Sequence, residues 1–130
     1  MVEVGHTDAD HTTCLHIPSA GLLVAGDVAY NDVHLYLAES NANTRREWIA
    51  ALDTIESLKP RTVIAGHKKP EKNHSPRIIE ETRQYIRDFE RLARMTTTAR
   101  ELYDEMLQLY PDREPGLAVG IGACGQTVMP

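Results

Sequence analysis

Three short apolar runs, each ended by a glycine beside a residue of metal-ligand type, constrain the fold of this chain most strongly. The fragments are Gly5-His6, Gly26-Asp27 and Gly66-His67. Glycine lets the backbone turn sharply and come close to whatever the neighbouring side chain binds. Two imidazoles and one carboxylate on rigid strand ends make a mixed donor set suited to zinc or a similar divalent metal. The sequence therefore predicts strands that deliver a candidate metal site.

The apolar runs themselves predict a small β-sheet. Residues 22–25 are continuously apolar, which is typical of a strand covered on both faces, and the pattern predicts that this strand ends at Gly26-Asp27. A turn at Ser19-Ala20-Gly21 joins it to the preceding run as a hairpin. A loop through Tyr30, Asn31 and His34 is expected after it. The predicted strands are residues 2–4, 14–17, 22–25 and 62–65.

Helical periodicity dominates the rest of the chain. The first helix is predicted over 44–58, with Thr44 and Glu47 as a capping box. Ser75-Pro76 is typical of the start of a second helix, and a third begins at Thr98 with a capping box to Glu101. The predicted class is α/β or α+β: a single domain, 1–130, whose short sheet is covered by C-terminal helices. Within it, 1–70 holds the core motifs, 71–110 a helical elaboration and 111–130 an unassigned tail.

Charge and composition argue against two classes of partner, nucleic acids and membranes. The formal net charge is −5 and the basic residues are scattered, which argues against nucleic acid as a partner. No run approaches the ~20 apolar residues that cross a membrane, so no membrane partner is expected. Cys14 and Cys124 match no zinc or disulfide spacing and are predicted to be free thiols. The N-terminus lacks signal-peptide features, so the expected location is cytoplasmic.

With these fragments in order, residues 1–70 resemble the C-terminal half of the metallo-β-lactamase superfamily, in particular its glyoxalase II-like metallo-hydrolases. Gly5-His6-Thr7 resembles the segment that gives a histidine to the first metal. Gly26-Asp27 resembles the segment whose aspartate bridges two metals, and Gly66-His67 the segment that gives a histidine to the second. The resemblance implies a fold that is half of an αββα sandwich.

The same resemblance implies a chemistry and a set of roles. It assigns His6 to one metal, His67 to the other, and Asp27 to both as the catalytic bridging ligand. The cofactor would be Zn²⁺, alternatively iron or manganese, with up to two ions per complete site. A metal-bound hydroxide would then hydrolyse a small-molecule ester, thioester, lactone or related bond.

One departure from the family is as informative as the likeness. The His-x-His-x-Asp-His motif of the family's N-terminal half is absent from this sequence. The chain alone is therefore expected to be weakly active or inactive, and a homodimer or a missing N-terminal half is expected as partner. The alternative function is a non-catalytic half-domain that acts as an oligomerising or binding module.

Residues that flank the ligand candidates leave two interpretations open. Asp8, Asp10 and His11 are candidates to orient His6 as hydrogen-bond partners, or they belong to a solvated acidic loop. Tyr30 and His34 follow the aspartate in chain order and are candidates for substrate contact. The alternative for this pair is a packed tyrosine and a surface histidine.

Overall fold

A computed structural model describes residues 2–7, 12–35, 37, 40–68 and 73–113, and it forms four strands and three helices. This confirms the predicted α/β class. The elements are β1 Val2–Gly5, β2 Thr12–Ile17, β3 Leu22–Asn31, α1 Ala42–Ser57, β4 Thr62–Lys68, α2 Arg77–Met95 and α3 Ala99–Leu109.

The sheet has the order β1-β2-β3-β4. Its first two pairings are antiparallel, and β3 pairs with β4 in parallel. The predicted β2–β3 hairpin is present, closed by a 3₁₀ turn at Pro18–Ala20 and by Gly21 in the left-handed region, φ 64°. Strands β1, β3 and β4 consequently run in the same direction, which places the carboxyl ends of all three at one edge of the sheet.

Strand β3 is longer than the sequence predicted. The chain passes through Gly26 at φ 58°, shifts register against β4 between Val24 and Tyr30, and continues to Asn31. The prediction that the strand ends at Gly26-Asp27, with Tyr30 and Asn31 in a loop, was wrong. Glycine accommodates a bulge here, and a bulge bends a strand without ending it.

Helix α1 covers the sheet with an apolar stripe, as its periodicity predicted. Trp48 has no exposed surface, and its indole nitrogen donates a hydrogen bond of 2.8 Å to the carbonyl of Val28 in β3. The helix begins two residues earlier than predicted because Asn41 is its N-cap. Asn41 and Thr44 exchange side-chain and backbone hydrogen bonds of 2.8 and 2.9 Å, which corrects the predicted Thr44 and Glu47 capping box.

Helices α2 and α3 complete the helical layer. Pro76 is the N-cap of α2, and the Ser75 hydroxyl accepts a hydrogen bond of 3.2 Å from the backbone of Arg77. The capping box between Thr98 and Glu101 is confirmed at the start of α3. Buried apolar residues of α2 provide much of the core: Ile78, Ile79, Tyr85, Ile86, Phe89 and Leu92.

The two faces of the sheet differ in burial. The face toward the helices carries fully or nearly fully buried residues, among them Cys14, Leu23 and Val63. The alternate residues are less buried, and the side chain of Leu15 is 40% exposed. This second face, called the open face below, consists of Leu15, Ile17, Leu22, Val24 and Ile64. The expectation that the run at 22–25 is covered on both sides therefore holds for one side.

Within the described parts of the chain, no helix combines the length and apolar character that a bilayer crossing requires.

Candidate metal centre

Two of the three predicted metal ligands meet at the edge of the sheet. Asp27 follows the bulge of β3, and His67 lies near the end of β4. The distance from Asp27 Oδ1 to His67 Nε2 is 3.2 Å, and the two side chains are 51% and 40% exposed. The pair is thus accessible from solvent and held by neighbouring strands.

Close approach of the two backbones makes this pairing possible. A Cβ atom on Gly66 would lie 2.9 Å from the carbonyl carbon of Gly26 and 3.1 Å from Asp27 Oδ1. The approach to the Gly26 backbone is shorter than Cβ atoms show in proteins, so only glycine fits at position 66 without moving β3 away from β4.

The ring of Tyr30 packs against the imidazole of His67. The two rings stack with centroids 4.6 Å apart and an interplanar angle of 20°, while only 2% of Tyr30 is exposed. The Thr82 hydroxyl bonds the Tyr30 backbone twice, accepting from its nitrogen at 3.1 Å and donating to its oxygen at 3.2 Å. Helix α2 therefore fixes the residue that fixes the plane of the His67 ring.

His6 lies at the same edge of the sheet, directly after β1. Gly5 adopts φ 87°, and the turn is secured by a 2.7 Å hydrogen bond between the hydroxyls of Thr7 and Thr12. Among the described residues, however, no group of three or more His, Cys, Asp or Glu side chains is arranged to hold a metal ion. The role of His6 in a site shared with Asp27 and His67 stays a prediction.

The donor pair can be tested against the geometry of zinc. Two ligands of one tetrahedral ion with bonds of about 2.0–2.1 Å lie about 3.3 Å apart. The separation of 3.2 Å between Asp27 and His67 fits two adjacent ligand positions. A protein zinc site needs at least three protein ligands, so the described residues fit part of a metal centre and do not complete one.

The structure places the remaining site candidates in different environments or does not describe them. Asp8, Asp10 and His11 lie outside the described residues. Tyr30 is packed in the core, as one of the two interpretations expected. His34 is 3% exposed, which corrects the alternative that it is a surface histidine. Substrate contact by either residue stays a prediction.

Burial gives His34 an unusual titration. Its Nδ1 atom and the Tyr85 hydroxyl form a hydrogen bond of 2.8 Å. Desolvation by burial, reinforced by the positive charge of Arg113, lowers the pKa of His34 to about 4. The imidazole is therefore neutral in the folded protein at neutral pH.

The sequence analysis missed Arg113, whose positive charge acts on His34. Arg113 falls in the segment 111–130, for which the sequence predicts no element, yet it is buried against the adjoining rings of Tyr85 and Tyr110. No local pattern in the sequence indicates the contacts with Tyr85 and Val33, because these two residues are far from Arg113 in the chain.

We expect Gly66→Ala to separate β3 from β4 at the candidate site. The added methyl group collides with the Gly26 backbone, so the free energy of unfolding should fall by about 1–3 kcal/mol. Urea unfolding measures this loss. Gly5→Ala is the comparison, since it meets no atom within 4 Å and costs only the strain of its positive φ, about 1 kcal/mol. The His67 imidazole resonances should shift in Gly66→Ala alone, and unchanged resonances there would contradict the steric argument.

We expect the stability of the protein to fall in mild acid because of His34. Its folded pKa of about 4 lies below the ordinary histidine value of 6.5, so the unfolded chain binds more protons between these values. The neutral His34 imidazole contributes fully to the free energy of unfolding above pH 6.5. This contribution is lost as the pH falls toward 4, and it amounts to at most about 3 kcal/mol. Chemical denaturation from pH 7 to 4 tests this against His34→Gln, whose curve should be flatter. Parallel curves would show that His34 is not the group responsible.

Comparison with known proteins agrees with the geometry. A family model of the metallo-beta-lactamase superfamily matches residues 1–67, whereas no curated protein matches the chain. Among solved structures, a metallo-beta-lactamase family protein from Thermus thermophilus is similar, with a TM-score of 0.63 and 24% identity. The match covers 95% of this chain and 40% of that protein, and it shows a shared fold. Since the family model matches more than half of the 130 residues, the chain belongs to the metallo-beta-lactamase superfamily.

Proposed function

We propose that this chain supplies one half of a metal-dependent hydrolase centre. In this proposal Asp27 and His67 bind one ion, and His6 belongs to the ligands of a neighbouring ion. The 3.2 Å pair of Asp27 and His67 at the sheet edge is the observation that carries the proposal. Zinc, or alternatively iron or manganese, would supply an activated water and polarise the bond to be hydrolysed.

The residues of this chain hold Asp27 and His67 in place before any metal binds. Stacking on Tyr30 restricts rotation of the His67 ring, and the glycine at 66 keeps Asp27 within reach of it. Both supports belong to strands and a helix rather than to loops, which favours a precise geometry. The substrate class we propose is a small molecule with an ester, thioester or lactone bond.

A second polypeptide segment is part of the proposal. The described residues give two adjacent donors, so further ligands must come from elsewhere for a working centre. We propose that this segment brings an apolar sheet of its own and packs on the open face. Two cross-strand rows support this: Leu15 pairs with Val24, which pairs with Ile64, and Ile17 pairs with Leu22. The chain spans 40% of the length of the similar Thermus protein, which leaves room in such a protein for a second layer.

We expect the chain alone to bind zinc weakly through the pair. After dialysis, elemental mass spectrometry should find much less than one metal per chain, because two protein donors hold zinc poorly. Added zinc should shift the His67 imidazole resonances, and Asp27→Asn and His67→Gln should abolish the response.

His16→Gln is the matched control for that titration. His16 lies in β2 and is partly exposed, so its loss should leave zinc binding unchanged. If zinc moves none of the His67 resonances, Asp27 and His67 are not a ligand pair and the non-catalytic binding module becomes the better interpretation. Near-stoichiometric metal in a dimer would instead show that two copies complete the site, and ester and lactone hydrolysis would then be assayed on that dimer.

We expect the open face to bind the hydrophobic dye ANS in the isolated chain. Leu15→Glu should reduce the dye fluorescence severalfold, because it places a charge next to Val24 on the open face. Met95→Glu is the control, since Met95 is 70% exposed at the end of α2 and does not belong to the open face. Sedimentation velocity separates the possible occupants. A monomer with strong dye binding supports docking of a different segment, and a dimer that Leu15→Glu dissociates supports a second copy.

A further inference from the structure

A polar cavity has none of the candidate metal ligands His6, Asp27 and His67 in its lining. Its volume is about 500 Å³. It is bounded by the end of β3, the first turns of α2 and the turn that follows α3. Lining residues that matter for its chemistry are Asn31, Asn73, Arg77, Glu81, Gln84 and Arg113.

Arg113 is the fixed element of the cavity wall. Its Nη1 donates a hydrogen bond of 2.7 Å to the Val33 carbonyl, and its Nη2 donates one of 3.4 Å to the Glu81 carbonyl. The guanidinium carbon lies 4.7 Å from the ring centroid of Tyr85 and 5.2 Å from that of Tyr110. Two rings and two carbonyls thus hold the guanidinium in one orientation before any ligand arrives.

The charge of this guanidinium is incompletely compensated. Arg113 is 9% exposed and makes no ion pair with any other described residue. Burial lowers the pKa of Arg113 from its usual value, but arginine remains charged at neutral pH. A buried guanidinium of α2, that of Arg83, instead contacts three carboxylates within 3.0 Å. A carboxylate on Arg113 would supply what the described chain provides for Arg83 and not for Arg113.

The rest of the wall selects among anions. Carboxylates of Asp32, Glu81 and Asp112 line the cavity together with the second cation, Arg77. These three carboxylates repel an anion in proportion to its charge, so a doubly charged phosphate is disfavoured more than a monocarboxylate, which can pair with Arg113. The amide side chains of Asn31, Asn73 and Gln84 suit a ligand with amide hydrogen-bonding groups.

We propose that this cavity binds a small monocarboxylate with an amide group, such as an acylated amino acid or a peptide C-terminus, with its carboxylate on Arg113. The site does not depend on metal binding by Asp27 and His67. Its success or failure is therefore distinguishable from that of the hydrolase proposal.

Isothermal titration of the full chain with N-acetylglycine tests the proposal. N-Acetylglycinamide is the matched ligand without a carboxylate, and inorganic phosphate is the polyanion. We expect the acid to bind at least about tenfold more tightly than the amide, since a charge-assisted pair is lost. Phosphate should bind more weakly than the acid. No binding of the acid, or equal affinities for acid and amide, would overturn the proposal.

Variants locate the interaction. Arg113→Met should reduce the affinity for the acid at least about tenfold and leave the amide unaffected. Arg100→Met is the control, because Arg100 is 79% exposed on α3 and does not line the cavity. Circular dichroism checks that Arg113→Met still folds, as this arginine also bonds Val33.

Glu81→Gln provides a test that does not disturb the core, since Glu81 is exposed. Removing its negative charge should strengthen binding of the acid a few-fold and leave the amide unchanged. If Arg113→Met does not fold, Glu81→Gln alone tests whether the acid binds in this cavity. An unchanged affinity for the acid in Glu81→Gln, or unchanged binding in a folded Arg113→Met, would place the ligand elsewhere and overturn the assignment.

Discussion

Contact between the backbones of β3 and β4 at Gly26 and Gly66 is the constraint on which the candidate site depends. The strands are parallel, and a Cβ on Gly66 would collide with the Gly26 carbonyl. The bulge at Gly26 turns Asp27 toward the end of β4, so a carboxylate and an imidazole from different parts of the chain come within 3.2 Å. A larger residue at 66 would cost both the strand pairing and the donor pair, because one contact produces both.

The support of this contact is also the core of the domain. Tyr30 underlies His67, bonds Thr82 of α2 through its backbone, and lies 5.9 Å from the ring of Trp48 in α1. Both α1 and α2 therefore touch the residue that orients the imidazole. Packing that stabilises the fold and packing that fixes the site are the same, so mutations that loosen the helical layer should also loosen the donor geometry.

Local signals made part of this architecture predictable from the sequence. The strand at 62–65, the apolar stripe of α1 and the capping box at Thr98 all depend on neighbours a few residues away. All three appear in the structure, although the strand continues through Gly66-His67 to Lys68. The continuation of β3 beyond Gly26 was missed because glycine marks bulges and strand ends alike. The burial of His34 depends on Tyr85, 51 residues away, and no periodicity encodes that contact. The same holds for Arg113, whose carbonyl partner at Val33 is 80 residues distant.

The open face and the incomplete donor set are connected through β3. Val24 lies in the middle of the open face, and Asp27 follows three residues later, so the two are separated by at most about 10 Å of strand. A segment that packs on Val24 therefore reaches the edge of the sheet at which Asp27 and His67 lie. If that segment also carries metal ligands, each event stabilises the other, since a ligand bound across an interface favours the assembled state by linkage. Docking without metal and metal without docking should then both be weak, and the centre should form as a single cooperative unit.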